Sequence, residues 1–497
     1  MFQQEVLGRF AKVAASNPER NAFCIREEYH TYGQFRDTVG CIRKLLRTVE
    51  GKTDKVGLVA NDDLFTYASI FALWMEGLAY VPLHPKQPME RNEDVIAQAG
   101  LQVVLDSTYE RRFASVVTVK TTQCAGLEPV FDTVEAPEDG LAYILFTSGS
   151  TGKPKGVPIT RANLATFMRV FLGTGINLDE TDRCLQCFDL TFDISVQCYL
   201  TPLLHGACVY TVPHDQIKFT YVYGLLDDHE ITFGVLAPSM IHHLRPYFEE
   251  IFLEKLKFCL LVAEATPVDL LQEWFEHIPN AKVFNFYGPT EATIYCISYE
   301  AKRNRPIKEA NGMLAIGKPF QGTDVVILDE NGDVLPQVTK GFMYVSGDQV
   351  TQGYWKNPEK NAEAFRTVKY KGTLQRFYKT GDLCLIDEDG DILYYGRSDY
   401  QVKIQGYRIE LGEIEFYARE AIGGKNAVAF TFKGQGGGDQ IALGLETDTF
   451  DEKKLLEFLA TKLPAYMLPS KIFNVEKFPL NTSDKVDRRT LATLLPL

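Results

Sequence analysis

No apolar run in this 497-residue chain approaches the roughly eighteen residues that a membrane-crossing helix needs. The first residues, Met1-Phe2-Gln3-Gln4-Glu5, lack the basic segment and apolar stretch of an export signal. Basic charge is also scarce: 52 Lys and Arg stand against 65 Asp and Glu, a formal charge of -13. No basic stripe is on offer for generic nucleic-acid binding, so a polyanionic ligand must be met by locally placed cations. Internal repeats and low-complexity segments are missing, and the 10 cysteines follow no disulfide-like spacing. These absences predict a cytoplasmic protein with no nucleic-acid partner and no membrane insertion. One cysteine cluster keeps two readings open. Cys184, Cys187, Cys198 and Cys208 form a metal or redox site, or they are small apolar residues buried in strands and a helix, as the interleaved Leu185, Phe188, Leu190 and Phe192 favour.

What is present is enough apolar residue, 45% of the chain, for more than one core. Strand-like runs at residues 56–60, 103–105, 209–212 and 233–237 alternate with helical periodicity, for example over residues 64–76. That alternation predicts an α/β body of sheets covered by helices. From about Gly312 the texture turns to short strands with turns at Asp329-Glu-Asn-Gly-Asp333 and Asp387-Glu-Asp-Gly-Asp391, a β-rich subdomain over about 312–398. The expected division is a large N-terminal domain, 1–398, and a small mobile α+β domain, 399–497. In the latter the order is strand, helix, strand, strand, helix, with a hairpin turning at Gly434-Gln-Gly-Gly-Gly438.

The densest chemistry lies in Phe146-Thr147-Ser148-Gly149-Ser150-Thr151-Gly152-Lys153-Pro154-Lys155-Gly156, directly after the strand-like Leu141-Ala-Tyr-Ile-Leu-Phe146. Hydroxyls, glycines and lysines at a strand end let N–H groups and cations converge on phosphate. It is not a Walker A loop, because only two residues separate Gly149 from Gly152 and Pro154 follows Lys153. A solvated Ser/Gly linker is the bland alternative.

Further segments follow in order: Phe286-Tyr287-Gly288-Pro289-Thr290-Glu291, Tyr378-Lys379-Thr380-Gly381-Asp382-Leu383, the stretch from Gly396 to Glu410, Leu463-Pro464-Ala465-Tyr466-Met467-Leu468-Pro469, and Lys485-Val486-Asp487-Arg488. In this order the chain resembles the adenylate-forming superfamily, which includes acyl-CoA synthetases, peptide-synthetase adenylation domains and D-alanyl carrier protein ligases. The resemblance implies ATP as substrate, Mg²⁺ as cofactor, and an AMP-forming acid–thiol ligase of that fold. It implies that Thr147, Ser148, Thr151 and Lys155 hold the β- and γ-phosphates and that Glu291 binds the metal. Asp382 would take the ribose hydroxyls, Arg397 would support ribose and phosphate, and Tyr287 would border the adenine. Gly149, Ser150, Gly152, Phe286, Gly288 and Thr290 complete the nucleotide motifs, and Thr147 and Glu291 join Lys485 as catalytic candidates. Lys485 would bridge the attacking carboxylate and the α-phosphate, after its domain closes about a hinge at Asp399. A second pose would bring the stretch Lys403 to Gly406 to an incoming thiol. Taken singly, Glu291 is also readable as a helix cap, and Asp382 with Arg397 as a surface ion pair.

Two Phe-Asp pairs, Phe188-Asp189 and Phe192-Asp193, compete to anchor the substrate. The spacing of Phe192-Asp193-Ile194-Ser195-Val196 to Leu203-Leu204-His205-Gly206 favours Asp193, which in amino-acid-activating members holds the ammonium; a turn or cap role is the alternative. By the same resemblance Ile194, Gln197, Ser239, Val262, Phe286, Ile294 and Tyr295 line the rest of the pocket. Their bulk suits a small amino acid, D-alanine among them. Three departures stand out: Val262-Ala263-Glu264 in place of a Gly-rich approach, Phe342 in place of an acid, and Asp484 in place of glycine. Because the chain stops at Leu497, twelve residues past Lys485, the expected acceptor is a phosphopantetheine thiol on a separate carrier protein, with CoA as the alternative. The competing functions are an acyl-CoA synthetase for a non-amino acid and a non-catalytic nucleotide-binding protein.

Overall fold

The computed structural model describes all residues except 109–112, 150–151, 435–436, 448–449, 481–485 and 497. The chain divides into two compact units. The first comprises Met1–Pro85, Ala99–Leu145 and Gly156–Ser398. The second comprises Lys86–Gln98, Phe146–Lys155 and Asp399–Leu497.

The larger unit is built on two sheets whose central strands read as unbroken apolar runs. Val103–Asp106, Cys208–Thr211 and Phe258–Leu261 are buried at every position, the signature of parallel strands covered on both faces. In the nine-stranded sheet the neighbours run in the order Lys318–Pro319, Ile297–Ala301, Lys282–Tyr287, Phe258–Leu261, Phe233–Leu236, Arg183–Gln186, Cys208–Thr211, Asn21–Ile25 and Glu28–Thr31. The six from Lys282–Tyr287 to Asn21–Ile25 pair in parallel, and the flanking strands are antiparallel. The six-stranded sheet holds Ala79–Leu83 beside Lys55–Val59 and Leu141–Thr147. The predicted helix over 64–76 is Leu64–Met75; Asp63 caps it by accepting from Thr66 N. It is buried from Thr66 to Trp74, so it is apolar around its circumference rather than on one stripe.

An antiparallel sheet starting at Thr323–Leu328 follows, with Gly341–Gly347, Thr373–Ile386, Phe365–Tyr370 and Ile392–Arg397. In the turn at Asp387, Lys308 Nζ donates to the carboxylates of Asp387, Asp389 and Asp391 at 2.7, 2.8 and 2.6 Å, so an ammonium fills the centre of that acidic loop. All ten cysteines are unpaired; nine are buried and Cys41 is partly so. Burial pushes the Cys187 thiol up to about 11 and Cys259 up to about 12. Cys184, Cys187, Cys198 and Cys208 are all buried, Cys184 and Cys208 in the strands Arg183–Gln186 and Cys208–Thr211 and Cys198 in the helix Ile194–Leu203.

In the smaller unit, the hairpin Gln401–Ile404 with Tyr407–Glu410 turns through Gln405 and Gly406, both at positive φ, as a two-residue turn requires. Helix Leu411–Ala421 follows, then strands Ala427–Lys433 and Asp439–Leu445, helix Glu452–Lys462, and a third strand, Lys471–Asn474, parallel to the second. Ile409, Leu443, Leu459 and Met467 lie at the centre of its core.

Candidate active site

The phosphate-loop candidates follow the strand Leu141–Thr147, and the segment Phe146–Lys155 that holds them belongs to the smaller unit. Two glycines are required here by space and conformation. A Cβ on Gly149 would lie 2.2 Å from Lys153 O, and Gly152 sits at φ +81 with its absent Cβ 2.6 Å from the Phe416 ring. The loop's polar groups face the hairpin and helix that follow Asp399. Ser148 Oγ donates to Arg408 O at 3.0 Å, and Tyr417 Oη donates to Gly152 O at 2.7 Å. Gly149 N donates to Glu413 Oε2 at 3.2 Å, and Lys155 Nζ lies 3.9 Å from Glu410 Oε1. The backbone amide and the lysine thus meet carboxylate oxygens, the protein's own equivalents of an anionic ligand. Thr147 Oγ1 is shielded from solvent and has no hydrogen-bond partner among the described residues. Ser150, Thr151 and Lys485 lie outside the described residues.

In the larger unit Asp382 and Arg397 face each other across an antiparallel pair. Arg397 Nη1 donates to Asp382 Oδ1 at 2.9 Å, and Nη2 to Thr380 O at 3.1 Å. Their side chains are 5% and 13% exposed, with Asp382 the more buried, which removes the surface-pair reading. Tyr287 Oη donates to the other Asp382 oxygen, so these three residues form one polar group at the ends of two sheets.

The pocket residues have a common origin. Asp193 follows the strand Arg183–Gln186, Ser239 follows Phe233–Leu236, Val262 follows Phe258–Leu261, and Phe286 stands near the end of Lys282–Tyr287. These are four consecutive neighbours of the nine-stranded sheet, and the carboxyl ends of parallel strands are where α/β sheets bind ligands. Beyond Tyr287 the chain doubles back so tightly that a Cβ on Gly288 would lie 2.4 Å from Ile294 O. Thr293 and Ile294 take positive φ to make the bend. Gln349 clamps it, donating Nε2–H to Tyr295 O at 2.8 Å and accepting from Thr293 Oγ1 at its backbone carbonyl. Glu291, within the short turn Thr290–Ala292, is fully buried, and its Oε1 accepts from Tyr354 Oη at 2.7 Å.

Asp193, 7% exposed, precedes the fully buried helix Ile194–Leu203 without capping it. Burial raises its carboxyl to about 6, against the Thr290 hydroxyl, which pulls the other way, and with the help of the Glu291 charge. Its Oδ2 is buried with no hydrogen-bond partner among the described residues, and the same is true of the Tyr295 hydroxyl. Phe286 stacks on Tyr295 at 5.2 Å. Gln197, on the same helix, is fully buried. Ser239 is engaged: its N and Oγ both donate to the Glu264 carboxylate, at 2.9 and 3.0 Å. Ala263 between Val262 and Glu264 sits at φ +70, in the left-handed region that favours glycine. Glu264 stands out in the sequence only as part of a departure, and Tyr354 and Gln349 carry no signal there. Their partners are 25 to 63 residues away, with no local pattern to announce them.

Residues 10–355 match the family model described as AMP-binding enzyme. Tyrocidine synthase 1 of Brevibacillus parabrevis is 30% identical over 97% of this chain, which spans less than half, 44%, of that protein. Zwittermicin A synthase ZmaJ of Bacillus cereus is 30% identical, with 98% of this chain and 94% of that protein covered. Among solved structures, PA1221, a protein containing adenylation and PCP domains, superposes with a TM-score of 0.84 at 25% identity, covering 99% of this chain and 84% of that one. With a family match over more than two thirds of its length and near full-length likeness to ZmaJ, the chain belongs to the AMP-binding enzyme family.

Proposed function

We propose that this enzyme activates a small amino acid as its aminoacyl-AMP, releasing pyrophosphate, and then passes the aminoacyl group to the phosphopantetheine thiol of a separate carrier protein. One observation carries the reading: a buried aspartate with an unpartnered oxygen, Asp193 Oδ2, at the carboxyl ends of the strands. A substrate ammonium satisfies that oxygen with a charge-assisted hydrogen bond, whereas a fatty or aryl acid leaves it orphaned, a loss of about 1–3 kcal/mol or more. Ile194, Ile294, Tyr295 and Phe286 supply bulk that suits a short side chain, with D-alanine among the candidates. The likeness to PA1221, whose adenylation domain adjoins a PCP domain, supports a carrier-borne thiol over CoA.

Roles follow from the chemistry each group can perform. The amide of Gly149 and the ammonium of Lys155 already hold carboxylate oxygens and in turnover hold the phosphates that leave. Asp382, steadied by Tyr287 and Arg397, accepts from the ribose hydroxyls. The donor set at Glu291 fits Mg²⁺: a buried carboxylate whose one oxygen is fixed by Tyr354 is a hard, oriented ligand. When bound, the metal screens the charge of the phosphate oxygens. Lys485 stabilises charge developing between carboxylate and α-phosphorus. Asp399 serves as the hinge between the adenylating and thioester-forming uses of the C-terminal residues.

The test is ATP–pyrophosphate exchange across a panel of D- and L-amino acids alongside fatty and aryl acids. Small amino acids should stimulate exchange most strongly. Exchange driven by a fatty or aryl acid alone, with CoA consumed, assigns the enzyme instead to acyl-CoA synthesis and removes the role given to Asp193.

A further inference from the structure

The second Phe-Asp pair has a different setting. Asp189 lies three residues beyond the strand Arg183–Gln186, His214 three beyond Cys208–Thr211, and His84 directly after Ala79–Leu83. Three carboxyl strand ends from two different sheets thus deliver one carboxylate and two imidazoles to one place. Asp189 Oδ1 lies 3.4 Å from His214 Nδ1 and 3.9 Å from His84 Nε2, and the three ligating atoms fall within 4.8 Å of one another. Donors around a tetrahedral zinc ion, each about 2.0–2.1 Å from it, stand about 3.4 Å apart. The Asp189–His214 separation already matches; only His84 must move inward.

The outer contacts fit as well. His214 Nε2 lies 3.1 Å from Ala60 O, a carbonyl that can only accept, so Nε2 carries the hydrogen and Nδ1 turns its remaining valence toward Asp189. A backbone carbonyl holding the far nitrogen is the usual support of a metal-bound imidazole. The side chains are 13–15% exposed, shielded yet reachable. Imidazole donors select zinc and its first-row neighbours over magnesium.

We infer that His84, Asp189 and His214 form a divalent transition-metal site, separate from the Mg²⁺ role of Glu291, that pins the segment leading to Asp193 to the ends of two sheets. The competing occupant of the Asp189 environment is a proton on His214 together with the Lys218 ammonium, whose charge also acts on Asp189.

Zinc titration of the chelator-treated full-length chain decides between them. About one zinc per chain should survive desalting, with a thermal midpoint raised by a few degrees. The double variant His84→Asn/His214→Asn should lose both effects. Wild type retaining no more zinc than this variant, or an equal midpoint rise with zinc in the variant, overturns the site. Should the double variant fail to fold, cobalt-loaded wild type replaces it. Paramagnetically shifted imidazole N–H resonances in its NMR spectrum support the site, and their absence overturns it.

Discussion

Asp193 ionises late for an aspartate, at about 6, because burial outweighs the Thr290 hydroxyl. Above that pH it is a carboxylate and can pair with an ammonium; below it the acid is neutral and the pairing is lost. The apparent KM for the amino acid should therefore rise as pH falls through about 6, while the nucleotide KM stays level. Asp193→Asn should raise the amino acid KM at neutral pH and abolish the inflection, read from steady-state exchange across pH. An inflection that survives in the variant belongs to another group. The position of this residue is legible from the spacing of the Phe-Asp pair to Leu203 and Gly206. Its missing partner is not, since an unsatisfied oxygen is a property of everything packed around it.

At the scale of elements, the bends that shape the site are the least readable part of the chain. Strands such as Phe233–Leu236 and Cys208–Thr211 announce themselves as apolar runs, and the structure has them within a residue or two. Glycine-like conformations at Ala263, Thr293 and Ile294 do not, because nothing local requires them; they are imposed by the close return of the chain after Gly288 and by the Ser239–Glu264 bonds. Ala263 offers a test. Alanine in the left-handed region costs about 1–2 kcal/mol, and the extra freedom of an unfolded glycine offsets about 0.4–1 kcal/mol of that. Ala263→Gly should stabilise the protein by about 0.5–1 kcal/mol in denaturant unfolding, and a loss of stability would mean the surroundings demand the methyl. The phosphate loop behaves the same way. Its hydroxyls and glycines are evident, but carboxylates from Glu410 and Glu413, the latter 264 residues beyond Gly149, are not foreseeable as its partners.

For the whole molecule, the expected adenylation and thioester steps separate experimentally through Lys485. Lys485→Ala should lower amino-acid-dependent exchange by a factor on the order of 10² to 10³, as loss of a preorganised transition-state donor does. Nucleotide binding should persist, and so should thioester formation from aminoacyl-AMP supplied ready-made. Equal loss of both steps would show that the lysine serves the fold rather than one half-reaction. The order of motifs makes the overall architecture readable from end to end. What the order withholds is the division of labour within it, since the compact unit containing Asp399–Leu497 also includes Phe146–Lys155, two segments far apart in the chain.

The unpaired cysteines have a consequence of their own. Nine of the ten sit inside the packed interior, where a thiol is both hidden from reagents and held in its unreactive protonated form. An alkylating agent then modifies these sulfurs only in molecules whose interior has opened. The chain carries its own clock of unfolding: at neutral pH the slow uptake of a thiol reagent counts opening events directly, and every ligand that tightens the fold lengthens its tick.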